Sequence, residues 1–445
     1  MIIKHGYIAL PGEKSFLPLD IEIEDGKIVR TGPNLSGKDV FDAEGLLIFP
    51  GAVDPHVHFN DPGYTEREDF THGSRMAASG GVTTIIDMPC TSIPPVTTLK
   101  NFRKKLDAVK NKSIVDFAFF GGVSGQCFDG DFEENISELA PFVVGFKTYF
   151  ISGMDSFHRL THEQFSQVLK AAQKVNRPVL LHAEDYATVT RLETAEREKG
   201  SDWQNYYASR PEEAELIAVK NAVDLTQAAK GSLHIVHIGT AEAAEYLTGK
   251  PFVTGETCPH YLEFSCEDFE EIGGALKTTP VVKSPGNSEL LWKYLMIGAL
   301  EFVASDHAPA PASQKNTGSA WTDYSGIPGT GTLFPYLYSE GLLRRKMPLD
   351  RFLKVIAENA ARRYGLFDRK GSIEPGKDAD LIMLDPDRTT DIRGKDFFSK
   401  GKITPFEGLR FQGKIMKTLL RGQIIYDADK GIIARPGTGR FLQKG

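Results

Sequence analysis

Eight short apolar segments with the character of β-strands alternate with helix-like stretches between residues 51 and 367. In chain order these segments are GAVDPHVHF, TTIIDMP, VDFAFFGG, VGFKTYF, PVLLHAED, LHIVHIGT, FVTGETCPHY and FVASDHAP. The stretches between them, such as TLKNFRKKLDAVKN and THEQFSQVLKAAQKV, repeat apolar residues at three- and four-residue spacing, which is typical of amphipathic helices. Alternating strands and helices predict a parallel sheet, and eight repeats favour a closed (β/α)8 barrel of the TIM type over an open sheet.

The two ends of the chain have a different pattern, with short β-like runs separated by Gly, Pro and Asp. LDIEIEDGKIVRTG lies near the N-terminus, and IMKTLLRGQIIYD and KGIIARPG lie near the C-terminus. We expect residues 1–50 and 368–445 to pair into one small β-sandwich module, interrupted by a barrel over residues 51–367. A chain of 445 residues suits one large barrel with such a module.

The composition excludes several classes of partner. The chain is 41% hydrophobic and 25% charged, as soluble globular proteins are, and its net charge of −7 provides no basic surface for nucleic acid. No run of about 18 apolar residues and no signal peptide is present, so we expect no membrane partner and a cytoplasmic location. Four scattered cysteines without CxxC spacing suggest neither disulfides nor a thiolate zinc site. Small molecules and further copies of the chain remain as partners.

Residues able to bind a metal ion stand where the apolar segments stop. His56 and His58 alternate in the first segment, so both side chains can point to one face of a strand. The other residues of this kind are Lys147, His182, His237 and Asp306. Because the C-terminal ends of barrel strands meet at one mouth, we expect these side chains to lie close together. The alternatives are two unrelated surface histidines and a lysine in a salt bridge. Near two dications, a neutral Lys147 amine could instead take up carbon dioxide and form a bridging carbamate.

The joint order of the motifs resembles the amidohydrolase superfamily, and within it the cyclic amidohydrolases: dihydroorotase, allantoinase and hydantoinase. The resemblance spans nearly the whole chain and rests on GAVDPHVHF, GGVTTIIDMP, GFKTYF, LLHAED, HIVHIGT, TCPHYL, SDHAP, ENAARRYGL and KGSIEPGKDADLIMLD. It implies a ring-opening hydrolase that assembles as a dimer or tetramer.

The same resemblance implies a site with two divalent metal ions. One ion would be held by His56, His58, Asp306 and Lys147, and the other by His182, His237 and the carboxylated Lys147. Imidazole and carboxylate ligands without thiolate are consistent with zinc, and also with cobalt, manganese or iron. A hydroxide held between the ions would attack the ring carbonyl, with Asp306 carrying its proton to the departing ring nitrogen.

Three residues are candidates for contacts with the substrate ring. Dihydroorotases commonly carry an arginine two residues after the second histidine and an asparagine in an MPN segment, where this chain has Asn60 and Cys90. The cation that would hold a substrate carboxylate is therefore missing, whereas Asn60 resembles the residue of allantoinases. We expect Asn60, Cys90 and His307 to contact a neutral ureide, although Lys283 replaces an arginine that many allantoinases have. Dihydroorotase and hydantoinase or dihydropyrimidinase activity are the alternatives.

A metal-free structural pseudoenzyme is the non-enzymatic alternative, and it would be expected to lack one or more of the six ligands. A deaminase of the superfamily would usually lack the bridging lysine, so Lys147 argues against it. His234 lies three residues before His237 in a strand-like run, which predicts that it faces the opposite side and packs against a helix. For His260, a role in the site and a role in the core are equally open.

Overall fold

A computed structural model describes residues 1–443 of the chain. Its strands are β1 (Ile2–Ile8), β2 (Leu17–Glu24), β3 (Lys27–Gly32), β4 (Val40–Asp42), β5 (Leu47–Pro50), β6 (Ala52–Val57), β7 (Val82–Asp87), β8 (Asp116–Phe119), β9 (Gly121–Gly122), β10 (Phe146–Tyr149), β11 (Val179–His182), β12 (Leu233–Ile235), β13 (Val253–Thr257), β14 (Phe302–Val303), β15 (Leu381–Asp391), β16 (Arg410–Leu420), β17 (Gln423–Asp427) and β18 (Gly431–Ile432).

The α-helices are α1 (Phe70–Ser79), α2 (Leu99–Val109), α3 (Phe132–Leu139), α4 (His162–Lys174), α5 (Tyr186–Lys199), α6 (Trp203–Ala208), α7 (Glu212–Ala229), α8 (Ala241–Leu247), α9 (Pro259–Glu263), α10 (Phe269–Ile272), α11 (Asn287–Ile297), α12 (Ala312–Lys315), α13 (Leu333–Tyr336), α14 (Leu349–Leu353) and α15 (Asn359–Arg363). Within residues 1–443, none of these helices combines the length and the apolar character that a membrane span requires.

The parallel strands β6 to β14 close into the predicted (β/α)8 barrel. β6, β7 and β8 pair side by side, and β9 to β14 form a second parallel run. β9 follows β8 after a single residue and pairs with β10, which joins the two runs on one side. On the other side, the amide of His58 donates to the carbonyl of His307 (2.8 Å), and the amide of His307 donates to the carbonyl of His56 (3.2 Å). The ring of strands is complete, and its C-terminal ends meet at one mouth.

The beginning of β8 has an unexpected neighbour, the segment near the C-terminus of the chain. The amide of Phe117 donates to the carbonyl of Arg440 (3.0 Å), and the amide of Leu442 donates to the carbonyl of Phe117 (2.7 Å). Between these two residues, the ring of Phe441 packs among three aromatic side chains at centroid distances of 5.3 to 5.8 Å, namely those of Phe102, Phe117 and Phe119. Residues 440–442 therefore form an isolated parallel bridge with β8 in the barrel wall.

The remaining strands form one nine-stranded sheet in which the two ends of the chain meet, as expected. Its order is β18-β17-β16-β15-β5-β1-β2-β3, with β4 beside β1, and the antiparallel pair β5–β15 joins the N-terminal strands to the C-terminal ones. The Asp-Gly pair between β2 and β3 takes positive φ at both residues, 48° at Asp25 and 78° at Gly26, as the tight turn of a hairpin requires. The sheet packs around its own core of isoleucine, leucine, alanine and methionine side chains, separate from the core of the barrel.

A buried cluster of charges joins this sheet to the barrel. The ammonium of Lys370 lies 2.6 Å from Asp116 of β8, 2.7 Å from Asp380 and 3.0 Å from Asp378. Burial raises the pKa of Asp378, but Lys370 and Lys27 outweigh burial and lower that pKa to about 2. The carboxylate of Asp378 is therefore a partner that stabilises the fold only while it is ionised.

Candidate metal centre and substrate pocket

His56, His58 and Asp306 converge at the mouth of the barrel. His56 is the second-to-last residue of β6, and His58 is the first residue after this strand. Asp306 lies three residues beyond β14 and has a φ of 47°. The Nε2 atoms of His56 and His58 lie 3.1 and 3.3 Å from the same oxygen of Asp306, Oδ1. Ligands bound to one ion at 2.0–2.1 Å are separated from each other by roughly 3.0–3.4 Å, so these three atoms have the spacing of a shared metal site.

His182 and His237 form a second pair of nitrogen donors next to the first group. His182 ends β11, and His237 lies two residues beyond β12 with a φ of 40°. The Nδ1 atom of His182 lies 3.1 Å from Nε2 of His237. The ring of His237 lies 5.4 Å from that of His56, so the two groups of donors adjoin.

Lys147 lies in β10 on the same inner face as the histidines. In the parallel register Lys147 pairs with Leu180, and Tyr149 pairs with His182. The Lys147 ammonium is fully buried and has no hydrogen-bond partner among the described residues. Burial lowers the pKa of Lys147 to about 8, which favours the neutral amine. An unpartnered buried amine on the same inner face as side chains that could hold a metal ion fits a carbamate ligand, so the donor set fits the predicted centre.

Two buried carboxylates that the sequence analysis did not single out orient the histidines. Oε1 of Glu256 lies 2.6 Å from Nδ1 of His56, and Oε2 of Glu184 lies 2.7 Å from Nε2 of His182. Each contact leaves the opposite ring nitrogen to face the centre, which fixes the atom that can bind a metal ion. Burial raises the pKa of Glu184, but Arg210 at 2.7 Å and His182 hold that pKa well below its ordinary value. The signal was available for Glu184, since it alternates with His182 in the motif LLHAED.

The prediction for His234 was wrong. In the register of β11 and β12, His234 pairs with Leu180, so it shares the inner face of the barrel with Lys147. Its Nε2 lies 3.2 Å from Oε2 of Glu256, and its Nδ1 lies 2.7 Å from Oγ1 of Thr254. Counting alternate residues back from His237 fails because β12 ends at residue 235 and the positive φ of His237 turns the chain.

Asn60 follows the second histidine by two residues in the chain, and Cys90 contacts that histidine. Asn60 has a φ of 52°, is buried, and both atoms of its side-chain amide lack a hydrogen-bond partner within residues 1–443. Sγ of Cys90 is also buried, 3.1 Å from the hydroxyl of Tyr149 and 3.9 Å from Nδ1 of His58. A free side-chain amide offers an NH2 group that can donate and a carbonyl oxygen that can accept, which are the groups that a neutral ring amide needs.

His307 and His260 differ in how their rings are engaged. Nε2 of His307 lies 3.1 Å from Glu68, and its Nδ1 accepts from the amide of Thr330 at 3.3 Å. Both ring nitrogens of His307 thus have protein partners, so neither nitrogen is free to bind the substrate. A direct contact between His307 and the substrate stays a prediction. Nε2 of His260 has no partner in the part of the chain that the structure describes, and burial lowers its pKa to about 4, so the ring is neutral. Lys283 lies 3.4 Å from Glu215 in a buried ion pair.

Comparison with known proteins finds relatives over nearly the full length of the chain. The chain is similar to an allantoinase of Rubrobacter xylanophilus, at 37% identity over 436 residues that cover 95% of this chain and 94% of the relative. It is similar to an allantoinase of Salmonella newport at 36% identity, over 100% of this chain and 98% of the relative. Among solved structures, an L-hydantoinase (dihydropyrimidinase) from Arthrobacter aurescens superimposes with a TM-score of 0.92 at 29% identity, over 99% of both chains. A sequence model described as the amidohydrolase family matches residues 47–425. The chain belongs to the amidohydrolase family.

Proposed function

We propose that the protein is a metal-dependent hydrolase that opens the ring of a neutral cyclic ureide, as an allantoinase does. The observation that carries the choice of ring is the unpartnered, buried amide of Asn60 beside His58. A substrate carboxylate would require a cation there, because a bidentate arginine binds a carboxylate far better than a neutral amide can. The similarity to allantoinases over nearly the full length supports the same substrate class.

The proposed metal centre uses the six residues predicted from the sequence. His56, His58 and Asp306 would hold one divalent ion and His182 and His237 the other, with a carbamate formed from carbon dioxide on Lys147 shared between them. The N/O donor set favours zinc. When bound, two such ions lower the pKa of water towards neutrality and polarise the ring carbonyl.

The side chain of Asp306 is proposed to carry the proton in this reaction. Burial raises the pKa of its carboxyl, but His56 and His58 outweigh burial and hold that pKa well below its ordinary value. The carboxylate is therefore ionised at neutral pH and can accept the proton of the attacking water. The same group can then donate that proton to the ring nitrogen as the amide bond breaks.

Hydantoinase or dihydropyrimidinase activity is the second candidate, because hydantoinase structures superimpose on this chain with TM-scores of 0.90–0.92. Both classes of ring are neutral, so Asn60 alone does not separate them. The resemblance also supports a dimer or tetramer, which analytical ultracentrifugation would check. The cytoplasmic location that we propose from the sequence would be checked by cell fractionation. The non-enzymatic alternative, a metal-free structural protein, would be supported if the folded protein bound no added zinc.

The experiment that tests the proposal compares four rings side by side: allantoin, dihydroorotate, hydantoin and dihydrouracil. The protein is reconstituted with zinc and bicarbonate, and the bound metal is counted before the assay. A preference for allantoin of at least about tenfold in kcat/KM, or about 1.4 kcal/mol in transition-state binding, supports the proposal. Preference for dihydroorotate, or no activity on any ring with two ions bound, overturns it. Asn60→Arg should move the preference towards dihydroorotate, whereas Lys104→Met on the exposed face of α2 should not.

A further inference from the structure

We propose that Lys105, a buried lysine of α2, is a positioning residue that fixes the two segments on which ring recognition depends, residues 58–60 and 90–92. This inference rests on the proposed function, because it assigns Lys105 a role in substrate binding at that same site. Neither segment belongs to α2, and Lys105 itself contacts none of the proposed metal ligands.

Lys105 is enclosed in the core, although the helix that carries it has an exposed face. Its side chain is 1% exposed, and its ammonium lies 2.6 Å from Oδ2 of Asp87 and 2.5 Å from the hydroxyl of Ser92. The ammonium also lies over the rings of Phe70 and Phe119, at 5.5 and 5.3 Å from their centroids. Taking an ion pair out of water is costly, and apolar side chains would fill the same space with comparable stability. The placement of Lys105 therefore calls for a reason other than stability.

The first contact of Lys105 leads to the segment that carries Asn60. Asp87 is the last residue of β7, and its second oxygen, Oδ1, accepts from the backbone amide of Phe59 at 2.7 Å. Phe59 stands between His58 and Asn60, and Asn60 adopts the left-handed region with a φ of 52°. Holding the amide of Phe59 thus sets the direction in which the Asn60 side chain leaves the chain.

The second contact leads to the segment that carries Cys90. Ser92 follows Cys90 and Thr91, and Oγ1 of Thr91 lies 3.3 Å from Nδ1 of His58. Three residues beyond Asn60, Gly63 forms a backbone bridge with Ser92, which adds a link next to the first segment. One ammonium group therefore ties together both walls of the pocket in which we place the substrate ring.

A lysine suits this role because its single ammonium group can form an ion pair with Asp87 and donate a hydrogen bond to Ser92 at the same time. Methionine has a similar length and no charge, so Lys105→Met leaves the Asp87 carboxylate buried without its cation and Ser92 without its donor. Arginine retains the charge and several donors, so Lys105→Arg is the conservative variant. Lys104→Met, one residue away on the exposed face, is the matched control.

The kinetic test uses the zinc-loaded enzyme and its best ring. For Lys105→Met we expect KM to rise by about tenfold, while kcat stays within about threefold and two metal ions remain bound. Lys105→Arg should recover most of the change in KM, and Lys104→Met should match the wild type. An unchanged KM in Lys105→Met, or a loss of kcat and bound metal at constant KM, would overturn the assignment. If Lys105→Met does not fold, Ser92→Ala removes only the second contact and should still raise KM.

A second readout needs no substrate and separates this inference from the proposed function. Cys90 is buried, so its alkylation by iodoacetamide, followed peptide by peptide, reports opening of segment 90–92. Lys105→Met should accelerate alkylation of Cys90 by at least about tenfold relative to Lys104→Met, which corresponds to easier local opening. Equal rates would overturn the positioning role. Faster alkylation in a protein that opens none of the four rings would support the role and refute the proposed function alone.

Discussion

Replacing Glu256 by glutamine should weaken metal binding without unfolding the barrel. The Glu256 carboxylate is buried between two histidines, with Oε1 at 2.6 Å from Nδ1 of His56 and Oε2 at 3.2 Å from Nε2 of His234. Glutamine has nearly the same shape and can keep one oxygen near His56. Its amide nitrogen would face His234, whose ring can adopt the tautomer that donates to Thr254 instead.

The expected loss follows from the change of one hydrogen bond. Burial raises the pKa of Glu256 well above its ordinary value, whereas bound divalent cations would favour its ionised form, so the estimate applies to the metal-loaded protein. There, a bond to a charged acceptor contributes about 1.5–3 kcal/mol and a bond to a neutral acceptor about 0.5–1.5 kcal/mol, so Glu256→Gln should remove about 1–2 kcal/mol of support for His56. That support acts on the orientation and basicity of a metal ligand, and about 1.4 kcal/mol corresponds to tenfold in affinity. We therefore expect the dissociation constant of the zinc ion bound by His56 to rise by about 5- to 30-fold.

Competition with a fluorescent zinc chelator measures this constant directly. Glu242→Gln, an identical exchange at an exposed position of α8, is the control and should leave the affinity unchanged. Circular dichroism would verify that both variants keep the fold. An affinity within about twofold of the wild type in folded Glu256→Gln would refute the idea that this carboxylate orients His56.

Four further outcomes test other parts of the structure. Lys147→Ala should lose at least one bound metal ion by elemental analysis and more than about a hundredfold in kcat/KM; a wild-type metal count would contradict the carbamate. Asp306→Asn should lower kcat by about 10²–10⁴, as removal of a general base does, in a protein of near wild-type melting temperature. Because the pKa of Asp378 is lowered to about 2, its contribution is complete above about pH 5 and falls with acidification. Asp378→Asn should therefore lose about 1 kcal/mol less of its unfolding free energy than the wild type between pH 5 and pH 3, measured by urea titration. Phe441→Ala should lower the unfolding free energy by about 2 kcal/mol, since its half-buried ring loses three aromatic contacts, and an unchanged urea midpoint would rule this out.

Most of the barrel could be predicted because its strands are short, largely apolar and buried on both faces and its helices are amphipathic, so local pattern and final burial agree. The helix-like stretch that contains TLKNFRKKLDAVKN is α2, and each of the eight apolar segments contains a barrel strand. The terminal sheet was predictable from its turns, as the Asp-Gly pair at residues 25–26 illustrates. Each of these strands, helices and turns is determined by a pattern that lies within about a dozen neighbouring residues.

The parts that escaped prediction depend on contacts between distant residues. Lys105 has the spacing of an ordinary helix lysine, and only the approach of Asp87 and Ser92 in space distinguishes it from exposed Lys104. Glu256 stands 200 residues from His56, so nothing in its local pattern reveals the histidine it orients. His234 was misplaced for a local reason, because the chain leaves the strand before His237 and the alternation of side chains stops there.

The pairing of residues 440–442 with β8 affects how the barrel can form during synthesis on the ribosome. Phe117 pairs with a partner that the ribosome makes more than 300 residues later. At 5–20 residues per second, this interval lasts on the order of 15–65 s, during which the wall of the barrel beside β8 has an open seam. An open strand edge is a template for pairing with other chains, so we expect the nascent chain to be prone to aggregation at this edge until residues 440–442 have been made.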